Sequence, residues 1–219
     1  MISVMIEEFR EWKLRFAGRC FIILALLAGG TLLAFKMHFA SFFLIVAFFY
    51  MWLGWQDGSQ KWNDIKFVRV RNTKKIKASQ WFGGKHLGFL AVSLIHAILL
   101  LPMFFLIVLL WGIPTSQCLC MLGIGIASGT MVLSLFILTQ LIHPVFGTLF
   151  STVIILVWLL SGYFLPYLVP INPLMLILNL SETEDIRPSL LYMVSCFAFQ
   201  IIPFSVMYLV SLKTKKETH

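Results

Sequence analysis

Charge is what this chain has least of. Only 12% of its 219 residues are Asp, Glu, Lys or Arg, against roughly 25% in a soluble domain. So little charge excludes a globule that covers its core with polar surface in water. Cysteine is also sparse, with four residues: Cys20, Cys118, Cys120 and Cys196. None stands at a zinc spacing, and Cys118-Leu119-Cys120 is too tight to ligate a metal alone; all four read as small apolar packing residues. No G-x-x-x-x-G-K-[ST] string occurs, so the chain carries no phosphate-cradling loop of its own. No small-x-small site follows the first apolar run, and no cleavable signal peptide is expected.

What is there is apolar. Hydrophobic residues make up 60% of the chain, including 21 Phe and 7 Trp, and the mean hydropathy is +0.93. The solvent for most of this chain is therefore lipid, and the class is an all-α integral membrane protein. A net charge of +8 raises the question of nucleic acid. The basic residues cluster beside apolar runs, where anionic headgroups account for them, and nucleic-acid binding is excluded.

A bilayer crossing takes about 20 mostly apolar residues. Six runs qualify, at roughly 19–36, 38–55, 87–112, 118–141, 145–166 and 189–212 of the sequence. Ahead of them, residues 4–18 place Val4, Phe9 and Phe16 at helical spacing with Glu7, Glu8, Glu11, Arg10 and Arg15 between. That pattern fits an amphipathic helix at the membrane surface, or the polar lead-in of the first span. The longest polar stretch, residues 57–86, carries eight Lys or Arg from Lys61 to Lys85 against Asp57 and Asp64. With six spans this loop, the N-terminal basic residues and Lys213, Lys215 and Lys216 share one side, which the positive-inside rule makes the cytoplasm. Of 17 Lys and Arg, only Lys36 and Arg187 fall outside. The expectation is thus one transmembrane domain over residues 1–219 with both ends cytoplasmic, in the cell (plasma or inner) membrane, and bacterial.

Several runs are irregular. Pro102 and Pro203 each remove a ladder hydrogen bond and predict a kink. Gly125 and Gly129 form a G-x-x-x-G pair that lets another helix approach closely. Between the fifth and sixth spans, residues 166–188 are apolar but broken at Pro166, Pro170 and Pro173, which predicts an external re-entrant or loop segment.

Three chemistries can be tested by spacing. Gly125-Ile126-Ala127-Ser128-Gly129 resembles the serine motif of rhomboid intramembrane proteases, but reads G-x-x-S-G rather than G-x-S-G. The sixth span has no histidine to act as base, so no serine nucleophile is predicted. Glu7-Glu8-Phe9-Arg10 lacks the E-E-x-x-x-R spacing of intramembrane prenyl-type proteases and reads as a helix face. An ion-coupled carrier needs a mid-membrane ionisable residue. Only His96 is placed for that, and a lone histidine in a bundle is more often a packing residue.

The order of these parts resembles the membrane subunits of ABC-2-type ABC transporters. Gln56-Asp57-Gly58-Ser59 is similar to that family's acidic-x-G-[ST] approach to a coupling helix. Trp81-Phe82-Gly83-Gly84-Lys85 is similar to its G-K lead-in to the third span. Ser161-Gly162-Tyr163-Phe164-Leu165-Pro166 with Asn172-Pro173 is similar to its S-G-x-x-x-P and later N-P pattern. Asp57 stands where the family more often has Glu, and the usual proline before the G-K lead-in is absent. The short length and Q-D-G-S string also resemble the haem-exporter membrane subunit.

The resemblance implies a non-catalytic permease subunit of an ATP-driven exporter of hydrophobic or amphipathic cargo. A separate ATPase would hold ATP and Mg, and would dock on Asp57, Gly58, Ser59, Lys61, Trp62, Asp64, Lys66 and Arg69. A second permease copy, or a related permease, would complete it. No cofactor or metal is expected on the chain itself. Two other readings stay open: a membrane anchoring or assembly subunit without a transport path, and an ion-coupled carrier or membrane enzyme.

Overall fold

In the computed structural model the described residues are 38–58, 78–142, 144–164, 171–183 and 185–216, with Val4, Ile6, Arg10 and Gly29. Among them 94% are helical and none lies in a strand. The elements are α1 (Ala40–Gly58), α2 (Ala78–Trp111), α3 (Thr115–Ile142), α4 (Pro144–Phe164), α5 (Pro173–Thr183), α6 (Arg187–Phe199) and α7 (Ile201–Lys216). Four stretches are long and apolar enough to cross a bilayer: Ala40–Gly58, Ser79–Trp111, Thr115–Gln140 and Arg187–Leu209. A fifth apolar helix, Phe146–Ser161, is shorter. The first expected span lies outside the described residues apart from Gly29, as does most of the expected surface helix.

Boundaries differ from the hydropathy reading in two places. Helix α2 starts at Ala78, nine residues before the apolar run. Trp81, Phe82, Lys85 and Phe89 recur at helical spacing and are all buried, so the end of the expected basic loop is a packed helical turn. At its far end α2 runs through Pro102 and stops at Gly112, whose φ of +64° is the left-handed conformation that glycine adopts without strain. The Gly112 N–H donates to the Val108 carbonyl at 3.0 Å and closes the last turn.

The second difference is one of degree: at Pro203, where a kink is expected, the helix divides. The final run is divided at Gln200 into α6 and α7. Pro203 has no N–H for the Phe199 carbonyl and its ring crowds that carbonyl, so the ladder breaks three residues upstream. Gln200 N–H bonds instead to the Phe197 carbonyl at 3.1 Å, and helical bonding resumes with Phe204 N–H to the Gln200 carbonyl at 3.1 Å.

Helix α3 is the axis of the bundle and packs against α1, α2, α4, α5 and α6. In Thr115–Gln140, 72% of the apolar stretch is buried, against 22% in Arg187–Leu209. Its closest neighbour is α1. A Cβ on Gly54 would lie 2.1 Å from the Gly129 carbonyl oxygen, and one on Gly129 would lie 2.6 Å from the Tyr50 carbonyl oxygen. A Cβ on Gly125 would lie 3.2 Å from Ala47 Cα, and one on Gly58 would lie 2.7 Å from Phe136 Cβ. Without side chains at these positions the two backbones touch.

Aromatic rings pack another side of α1 against α2. Phe43 stacks on Phe104 with centroids 5.6 Å apart, and Phe42 meets the same ring edge-on at 5.8 Å. Exposed large apolar side chains such as Leu94, Phe105, Phe150, Val157 and Leu191 cover the outside of α2, α4 and α6, the surface a lipid-facing bundle presents.

Candidate functional site

Polar side chains inside this bundle fall into three groups. The first fixes the segment after α4. Asn172 is fully buried and uses its whole carboxamide. Its oxygen accepts from the Leu174 and Met175 N–H groups, both at 3.1 Å, which caps α5 with Pro173 in the first helical position. Its Nδ2 donates to the Trp158 and Leu159 carbonyls of α4 at 2.8 and 2.9 Å. Trp158 Nε1 returns a bond to the Ile171 carbonyl at 2.6 Å. The chain therefore leaves α4 at Phe164 and has come back beside Trp158 by residue 171: it re-enters the bundle. Leu174, Leu176, Ile177 and Leu180 of α5 are then buried, and Gln117 Nε2 of α3 donates to the Leu180 carbonyl.

The second group ties helices together. Tyr50 OH donates to the Ser93 carbonyl at 3.1 Å, and Ser128 Oγ pairs with Tyr192 OH at 2.8 Å. Thr139 Oγ1 pairs with Ser151 Oγ. Each of these bonds ties α3 or α1 to a neighbouring helix. Ser128 also donates to the Ile124 carbonyl at 2.6 Å, so it is held as a helix hydroxyl. His96 is fully buried with its ring 5.5 Å from that of Phe49.

The third group lines open space. A cavity of about 340 Å³ lies between the start of α2, the middle of α3 and the α6–α7 break. Its walls are mostly apolar, with Phe82, Leu90, Phe197 and Phe204; its polar groups are His86, Thr130 and Gln200. His86 Nε2 lies 2.7 Å from Ser134 Oγ, and Nδ1 lies 3.0 Å from the Phe82 carbonyl. Ser134 Oγ also bonds Gln200 Oε1, and Gln200 Nε2 donates to the Cys196 carbonyl at 3.2 Å. A second groove of about 280 Å³, between α1, α3 and α4, is lined by Phe48, Met51, Trp52, Trp55, Phe136 and Leu159 among others, with the Thr152 hydroxyl also on its wall.

Of the residues singled out for ATPase coupling, Asp57 and Gly58 end α1 and are buried. Gly58 is in the α1–α3 seam. Ser59, Lys61, Trp62, Asp64, Lys66 and Arg69 lie outside the described residues, as do Pro166 and Pro170. Gly125 and Gly129 lie together against α1. Gly162 is in the last turn of α4, and Asn172 and Pro173 open α5. Among the described residues no group of His, Cys, Asp or Glu could hold a metal ion, and Cys118, Cys120 and Cys196 are buried free thiols.

Sequence reasoning missed the partner of the α3 glycine pair, although Gly54-Trp55-Gln56-Asp57-Gly58 is itself a G-x-x-x-G string. It missed the cavity too, since His86, Ser134 and Gln200 stand far apart in sequence and share no motif. Comparison with protein-family models, with curated proteins and with solved structures gives no match to this chain.

Proposed function

We propose that this chain is the membrane subunit of an ATP-driven exporter of the ABC-2 type. The observation that supports this best is the re-entrant segment after α4. A chain that leaves α4 at Phe164, is back beside Trp158 by residue 171 and restarts as a capped helix, held by Asn172, is the arrangement the resemblance implies between the fifth and sixth spans.

In this reading the chain has six spans with both ends in the cytoplasm. The end of the bundle at Gly58 and Ala78 faces the cytoplasm, and the basic segment between them meets an ATPase subunit that holds ATP and Mg. Two permeases, as copies or relatives, form the pathway. ATP binding and hydrolysis on the motor act as a lever on α1 and α2, and export follows from alternation between two states of the pair. The tight α1–α3 seam supports such a lever, because a push on α1 is carried into the bundle axis rather than absorbed by a loose contact. Cargo in this reading is hydrophobic or amphipathic.

The test is co-purification followed by activity. A tagged chain is expected to bring down an ATPase. Reversing charge at Lys61, Lys66 and Arg69 is expected to lower transport-linked ATP hydrolysis well below any change in membrane protein level. Recovery of the chain without an ATPase, or transport by the chain alone, would count against the proposal.

A further inference from the structure

The His86–Ser134–Gln200 group is one proton short. The Phe82 carbonyl can only accept, so a neutral His86 carries its proton on Nδ1 and presents Nε2 as an acceptor. Gln200 Nε2 is held by the Cys196 carbonyl. Turning the amide over would set two oxygens against each other there, so Oε1 stays toward Ser134. The single hydroxyl proton of Ser134 thus faces His86 Nε2, Gln200 Oε1 and, at 2.9 Å, the Thr130 carbonyl. The Thr130 carbonyl is a helix acceptor with a backbone donor of its own in α3. Of the other two, both on half-buried side chains, one is left without a proton, and an acceptor held away from water in that state is costly.

Both of these acceptors border the cavity of about 340 Å³. A second proton on His86 would balance the count, but it would set a full charge in a cavity that no carboxylate lines among the described residues, within a membrane-spanning stretch. We propose instead that the cavity is a lateral binding site for the uncharged hydroxyl head of an amphipathic molecule. The hydroxyl donates its proton to the acceptor that Ser134 leaves unserved.

The same count excludes other heads. A phosphodiester or an ionised carboxylate only accepts and deepens the deficit, and an ammonium finds no counter-charge among the described lining residues. The apolar body of the ligand lies along Phe82, Leu90, Phe197 and Phe204. Phe197 and Phe204 are each 46% exposed, so the rim opens sideways on the outer face of the bundle, toward lipid. The volume is at the low end of the roughly 300–1,000 Å³ of ligand sites, which suits one slender chain. This inference does not depend on the export reading.

The experiment uses the full chain in lipid nanodiscs with two photoreactive probes, a diazirine-bearing long-chain alcohol and its methyl ether. The expected result is labelling of residues 82–90 and 197–204, with the alcohol favoured about tenfold, the worth of one unmade buried hydrogen bond. Gln200→Met removes an accepting oxygen and is expected to abolish the preference while ether labelling persists. Ser134→Ala removes the hydroxyl that faces both acceptors, and is expected to widen the preference. Leu90→Trp fills the cavity and is expected to remove both labels. Equal labelling by alcohol and ether in the unaltered chain, or labels mapping elsewhere, would overturn the proposal.

Discussion

Glycines in this bundle are not interchangeable, and the atoms opposite each one decide what a methyl group does. At Gly54 a Cβ meets the backbone of Gly129 at 2.1 Å, which no side-chain motion can relieve. Gly54→Ala is expected to force α1 off α3 at a cost of about 1–3 kcal/mol, the range for overpacking a filled interior. At Gly123 the Cβ meets Met193 Sδ at 2.4 Å, the end of a flexible chain that can swing aside. Gly123→Ala is expected to stay within about 0.5 kcal/mol of the parent. Thermal unfolding in one detergent would compare the two, and equal losses would refute the close-approach reading of α1 and α3.

Among elements, α5 carries the most information for its length. It spans 11 residues, too short to hold its helix without tertiary contacts. Its stability comes from burying Leu174, Leu176, Ile177 and Leu180 and from the cap supplied by Asn172. Asn172→Asp keeps the capping oxygen but turns a second oxygen on the Trp158 and Leu159 carbonyls. Asn172→Ala loses cap and tie alike. Both are expected to release the segment from α4, the alanine by about 1 kcal/mol for the cap alone and more for the two carbonyl bonds. Trp158 reports the event, since its Nε1 bond to the Ile171 carbonyl is lost with it. The expected outcome is a red-shifted tryptophan emission and earlier proteolysis near residue 171. An unshifted spectrum in both variants would show that packing, not Asn172, holds α5.

Across the whole molecule the helices sort their ends into two sets. His38 and Phe39 meet Trp111 at ring distances of 5.9 and 6.0 Å. Gln117 reaches Leu180, so the 112–114 turn, the start of α1 and the end of α5 lie together. At the other end Gly58 packs beside Phe136, and Phe82 near the start of α2 faces Phe204 of α7 at 6.4 Å. The basic segment that follows Gly58 therefore leaves from the end opposite Glu182 and Thr115. Single cysteines at Ser59 and Glu182, in a chain whose native cysteines are replaced, are expected to react from opposite sides with a thiol reagent that cannot cross the membrane. In intact cells only the Glu182 position should label. Labelling of Ser59 from outside would invert the orientation and remove the proposed motor contact.

How much of this was legible before folding varies with the range of the interaction. Apolar runs and charge scarcity already spoke for a helical membrane protein, because the bilayer constrains each helix separately. The proline-broken stretch before Asn172 was readable for the same local reason. Gly125 and Gly129 were recognisable as small residues at one face, but not as the contact surface of α1.

Local chemistry, then, determined from the sequence alone which segments are apolar helices and where prolines and glycines interrupt them. The break at Gln200 follows locally from Pro203, whereas tertiary structure decided which helix becomes the buried axis and that α2 begins within the expected loop. It also brought His86 and Gln200 to one cavity wall, with Ser134 bonded to both. These outcomes depend on backbone approach and on hydrogen-bond counts between residues 48 and 66 positions apart, and no window of sequence contains both partners.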